Sequence, residues 1–160
     1  MRFLIDILVG LMLLGLAAGA FLHFRTSNNT ANRTERTRME LRRFQNQLDL
    51  KAALGEAELS TAGFPLDIKL EWFGENLPSN PLLPRGHPWV EIAPESQQSL
   101  DHPVDRSATD RSLAQFWYNP YRGALRARVP SKGTDTKTLN LYNAVNDARL
   151  PGLFASGEGQ

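Results

Sequence analysis

Apolar and polar positions change rhythm three times along the chain. From Ile7 to Leu22 no charged or strongly polar residue occurs, and Phe3, Leu4, Ile5 and Phe24 extend the run past Asp6 and His23. About 20 apolar residues at 1.5 Å rise suffice to span a bilayer core, so residues 1–25 are expected to form a transmembrane helix. Thr26–Asn32 is polar and reads as a weakly helical break. Beyond it, Met39, Leu41, Phe44, Leu48, Ala52 and Leu59 recur mostly at three- and four-residue intervals, the stripe of an amphipathic helix over Arg33–Leu59. Gly63, then Phe64-Pro65, is expected to end it, which makes residues 26–62 a helical stalk.

A period of two follows. Leu66, Ile68, Leu70 and Trp72 alternate with Asp67, Lys69 and Glu71, which predicts a half-buried strand. The stretch Leu77–Pro88, with its prolines and Gly86, predicts a loop. Trp89–Ile92 is a short strand, residues 93–111 a long polar loop, and Ala114–Tyr118 a second strand. The turn residues Asn119-Pro120-Tyr121-Arg122-Gly123 join it to a third, Ala124–Val129, as a hairpin. Thr138–Val145 fits either a last strand or a short helix, and residues 151–160 look like a flexible tail. Consecutive strands with one helix on a face make an α+β layer: a long N-terminal helix packed on a small antiparallel sheet head at residues 63–150.

Composition narrows the function. The 160 residues carry a formal net charge of +1, which gives no global pull toward nucleic acid or an anionic substrate. Cysteine is absent, which removes disulfides, thiolate metal sites and Cys nucleophiles. No phosphate-binding loop, dinucleotide fingerprint or nucleophile elbow occurs, and no Ser–His–acid set can be argued, so no enzyme activity and no catalytic residue is expected. His102 stands in Leu100-Asp101-His102-Pro103-Val104-Asp105, with Asp110 further on, but the spacing matches no EF-hand or zinc pattern. Asp135, Asn143, Asn146 and Asp147 match no calcium motif either, so neither metal nor cofactor is expected. Arg122, Arg126 and Arg128 read as the charged outer face of a strand, where charge blocks edge-to-edge pairing.

In the apolar helix three residues stand out. Gly15 and Gly19 are four apart and share a helix face, where small side chains let another helix approach closely. Asp6, about one turn inside the apolar run, suits pairing with a cation on another chain. These three are the candidate helix–helix assembly residues.

The order of elements resembles the type IV pilin and type II secretion pseudopilin superfamily. Phe3-Leu4-Ile5-Asp6-Ile7-Leu8-Val9 is similar to the start of the family's hydrophobic helix, with Asp6 where the family carries an acidic residue. Ala53-Leu54 followed by Gly63-Phe64-Pro65 resembles the end of the family's amphipathic helix. The match does not include the family's basic processing leader, since only Met1 precedes Arg2, and the kink proline of many pilin anchors has no counterpart at Phe21–Phe24. The resemblance implies a pilin-like fold and a structural subunit of a secretion or pilus-like assembly, with other pilin-like subunits and the membrane as partners. It also implies a single-pass placement in a bacterial inner membrane with the C-terminal head in the periplasm. The charges Arg25, Arg33, Arg36 and Arg38 after the span would by themselves favour the opposite orientation. The alternative is an unprocessed single-pass membrane protein whose pilin-like head is a binding module. Neither reading calls for nucleic acid or a small-molecule substrate.

Overall fold

The computed structural model describes residues 2–154, without the side chains of residues 2–6, 8–9 and 22–27. The chain is α+β, with helices and a small three-stranded mixed sheet. It divides into two units, Met1–Arg33 and Thr34–Gln160.

Helix α1 runs from Arg2 to Ala53. The polar stretch Thr26–Asn32 does not interrupt it. Asn, Ser and Thr each cost only tenths of a kcal/mol in a helix, roughly 0.5–0.7 relative to Ala, and no Gly or Pro lies between Gly19 and Gly55 to stop propagation. The helix ends earlier than Gly63. Gly55 takes φ +68°, its N–H bonds to the Ala52 carbonyl at 3.1 Å, and the Glu56 N–H reaches the Lys51 carbonyl at 3.0 Å. That pair of bonds is a Schellman cap, which only a residue at ease with positive φ closes cheaply. Lys51 Nζ adds an ion pair to Glu56 at 2.5 Å.

In the second unit α1 buries Thr37, Phe44 and Leu48, with Leu41 half-buried between them. Met39 and Leu59, expected on the same stripe, are exposed. Residues 66–72 do not form the expected strand. Leu70 is exposed, and Leu70–Phe73 is a 3-10 turn closed by Gly74. Trp72 and Phe73 pack toward the core from that turn.

Strands β1 (Val90–Ile92), β2 (Phe116–Asn119) and β3 (Ala124–Ala127) lie in the order β1-β2-β3. β2 and β3 form the expected antiparallel hairpin, Phe116 opposite Ala127 and Asn119 opposite Ala124. β1 runs parallel to β2, with Val90 opposite Phe116, so the expected antiparallel sheet is a mixed one. A parallel pair needs a crossover, and residues 93–115, of which 93–111 were expected as a loop, provide it. Helix α2 (Asp135–Asn146) resolves the ambiguity over Thr138–Val145. Thr134 caps its first turn by accepting from the Lys137 N–H, and Asp147 ends it at φ +53°.

The core lies between α1, α2 and one sheet face: Phe44 and Leu48 from α1, Phe116, Tyr118, Leu125 and Ala127 from the sheet, Tyr142 and Val145 from α2. Phe44 stacks on Trp89 at 5.0 Å and meets Phe73 and Phe116 edge-on at 5.1 and 5.4 Å. On the other face, Trp117, Ala93 and Ala124 form a smaller cluster under the crossover, so all of β2 is buried. Leu153 is buried as well, and the Gly152 carbonyl accepts from Arg106. The expected tail is therefore docked as far as Leu153, while residues 155–160 of it lie outside the described residues.

Among the described residues no helix is long and apolar enough to cross a membrane. This overturns the expected transmembrane helix over residues 1–25. It also overturns the expected single-pass placement in an inner membrane with a periplasmic head.

Candidate functional site

The assembly residues proposed from sequence lie on the first part of α1. A side chain built at Gly15 or Gly19 would meet nothing within 4 Å, so neither position is filled from within the chain. Around them Ile7, Leu11, Met12, Leu13, Leu14, Leu16 and Phe21 are 46–72% exposed. Fully burying a Leu, Ile or Phe side chain is favourable by roughly 1.5–3 kcal/mol, so this is a surface with a large unrealised driving force. It exceeds the scattered apolar exposure of ordinary protein surfaces in being contiguous along one helix. The side chain of Asp6 lies outside the described residues.

The rest of the chain is organised around polar residues buried in the fold. Two Asn-Pro dipeptides supply the chief ones. Asn80 donates to the Arg128 carbonyl at 2.7 Å and the Gln115 carbonyl at 3.3 Å, and accepts from the Leu82 N–H at 3.2 Å. Asn119 donates to the carbonyls of Gln97, Gln98 and Leu100 at 2.8–3.0 Å and accepts from the Tyr121 N–H, tying the crossover to the hairpin turn. Proline after each Asn disfavours helical backbone there, which leaves the amide free to act as a turn acceptor. Asn146, from α2, exchanges two hydrogen bonds with the Ala127 backbone at 2.7 and 2.9 Å, closing the free edge of β3.

Arg128 corrects the view of a charged outer face. It is 2% exposed, and its guanidinium donates to the Asp105 and Ala114 carbonyls and pairs with Glu91 at 2.7 Å. Arg122 conforms better, since it is exposed and holds Asp101 in a two-point pair at 3.0 and 3.1 Å. That pairing lowers the Asp101 carboxyl below the usual carboxylate range.

Arg126 turns to His102. Its Nε donates to His102 Nδ1 at 3.2 Å, and Tyr142 Oη lies 3.0 Å from the same nitrogen. An arginine Nε can only donate, so Nδ1 must accept, and the imidazole is neutral with its proton on Nε2. Burial pushes His102 down to about 4, helped by the charges of Arg126 and Arg106, while Asp101 opposes them weakly. Tyr142 is held protonated to high pH by burial. Two further polar side chains have structural partners. His87 Nδ1 meets the Leu113 carbonyl at 2.9 Å, and Asn143 makes two bonds with the Leu150 backbone. Among the described residues no group of three His, Asp or Glu side chains could hold a metal ion.

Sequence reasoning missed Asn80, Asn119, Asn146, Arg106 and Arg128 as organising residues. The repeated Asn-Pro was the available signal for the first two. Comparison with protein families, curated proteins and solved structures finds no match to the chain.

Proposed function

We propose that this chain is a structural assembly subunit, with the apolar part of α1 as the element that packs against helices of other subunits. The observation that carries this reading is the row of exposed apolar side chains from Ile7 to Phe21 around the open Gly15 and Gly19 positions. Small residues on one face permit close helix approach, and the leucines around them supply the contact area. Such helix association buries apolar surface without any chemistry. The pilin-like pattern of the N-terminal sequence supports the same reading.

The test is the size of the particle formed by the full chain. Sedimentation velocity is expected to give an oligomer, or a complex with another chain. Gly15→Leu together with Gly19→Leu is expected to reduce it toward the monomer while the unfolding midpoint stays put. An unchanged particle would reject this face as the contact.

A further inference from the structure

One ring nitrogen of His102 joins three parts of the fold. The residue stands in the crossover between β1 and β2. From β3, Arg126 Nε donates to its Nδ1 at 3.2 Å. From α2, Tyr142 Oη lies 3.0 Å from the same nitrogen, with the two rings edge-on at 5.8 Å. The other charges that act on the imidazole are Asp101, on the same loop, and Arg106. Asp101 is paired with Arg122 from the hairpin turn and also faces Arg126 as a counter-charge. To either side the loop is fixed by other bonds. Asn119 holds the Leu100 carbonyl at 2.8 Å, and Arg128 holds the Asp105 carbonyl at 2.8 Å.

The two neighbours of Nδ1 respond differently to a proton. The neutral nitrogen has one lone pair and accepts; once protonated it only donates. A tyrosine hydroxyl both donates and accepts, so Tyr142 Oη can turn from donor to acceptor. A guanidinium accepts nothing and is always charged, so the Arg126 Nε–H would meet an N–H of like charge at hydrogen-bond distance, and that contact breaks. Its pairing keeps Asp101 ionised below the usual carboxylate range, so Asp101 remains a partner in acid. We propose that His102 is an acid-operated switch: a proton taken from solvent at Nδ1 reverses the bond to Tyr142 and drives Arg126 from His102 to the Asp101 carboxylate. Residues 101–104 thereby change partner on β3 while Leu100 and Asp105 stay anchored. The switch lies within the second unit and does not depend on the role of the apolar part of α1 in assembly.

The experiment follows both ring nitrogens of His102 and Nε of Arg126 by NMR in the full chain, from about pH 7 to about pH 3. The indole signal of the buried Trp117 monitors the fold. The unsubstituted chain is expected to carry the imidazole proton on Nε2 at the neutral end. Protonation of Nδ1 and the shift of Arg126 Nε are expected at one common midpoint, with the Trp117 signal still in its folded position. Arg126→Gln removes the fixed charge and offers a carbonyl to the protonated nitrogen. His102 should then bind its proton about tenfold more tightly, a midpoint roughly one pH unit higher, and Arg126→Lys should move it less. Asp101→Asn should lower the midpoint. A proton on Nδ1 at neutral pH, an Arg126 signal that does not move with His102, or loss of the folded Trp117 signal at that midpoint overturns the proposal from the unsubstituted chain alone. An unchanged midpoint in Arg126→Gln overturns it as well.

Discussion

Residues 7–21 of α1 and the unit from Thr34 onward use apolar side chains in opposite ways. In the second unit, Phe44, Leu48, Phe116 and Tyr118 are fully buried, and the buried amides of Asn80, Asn119 and Asn146 are all hydrogen-bonded. In the first, Leu11, Leu13, Leu14 and Leu16 remain exposed. Phe44 and Leu48 stand on the same helix as these leucines, so the difference lies in what surrounds the helix rather than in its backbone. The hydrophobic effect rewards area removed from water, whichever molecule removes it. A stretch whose burial is complete within the chain is fit for stability. A stretch whose burial is not complete is fit for association.

Substitutions should therefore separate the two regions cleanly. The largest expected effect is Phe44→Ala, which removes the ring that Trp89 stacks on and that Phe73 and Phe116 meet edge-on. A loss of about 3–5 kcal/mol is expected in denaturant unfolding followed by tryptophan fluorescence, a large share of a typical domain's stability. Asn80→Ala comes next. It strands the buried Arg128 carbonyl and the Leu82 N–H, for about 2–3 kcal/mol by the same assay.

Gly123→Ala should cost about 1–2 kcal/mol. Gly123 sits at φ +61°, and a Cβ there would come within 2.4–2.7 Å of the Phe64 ring. The thermal midpoint should fall, and Phe64→Leu should relieve part of the loss in Gly123→Ala. Acidification gives a smaller effect. His102 takes its proton near 6.5 when unexposed to the fold but only near 4 within it. Between those values the unfolded chain holds more protons, so stability falls as pH drops from 6.5 toward 4, with a slope of about one proton or fewer. His102→Gln should flatten that segment of the stability–pH curve. Least of all, Leu14→Glu should leave unfolding of the second unit within about 0.5 kcal/mol, because this exposed side chain takes no part in its core. The same substitution should weaken association.

Much of this contrast was legible in the residues. The apolar run, the stripe through Phe44 and Leu48, and the hairpin around Asn119-Pro120 all follow from spacing. Three features did not. The strand expected at residues 66–72 has an alternating pattern, but the Asp67 side chain caps the Ile68 N–H at 2.7 Å and Gly74 closes a 3-10 turn, so local hydrogen bonds outcompete pairing. The parallel register of β1 depends on where the crossover at residues 93–115 leads, which periodicity does not encode. Arg128 stands at an outward position by alternation, yet the crossover folds over it and brings Asp105 to its guanidinium. The polar hubs share that origin, since side-chain hydrogen bonds over long sequence separations leave no periodic trace. At the apolar end, the length of the run suggested a membrane span, whereas among the described residues no helix is long and apolar enough to cross a membrane.

The absence of native cysteine makes the central claim directly measurable. Single cysteines placed in turn from Ile7 to Phe21 of the full chain can be oxidised, and cross-linked products quantified at each position. If this face of α1 packs against another helix, cross-linking to a second copy or to another introduced-cysteine chain should rise and fall with the 3.6-residue helical period, peaking at Gly15 and Gly19. Uniformly low yields, or a pattern without that period, would contradict the assembly role.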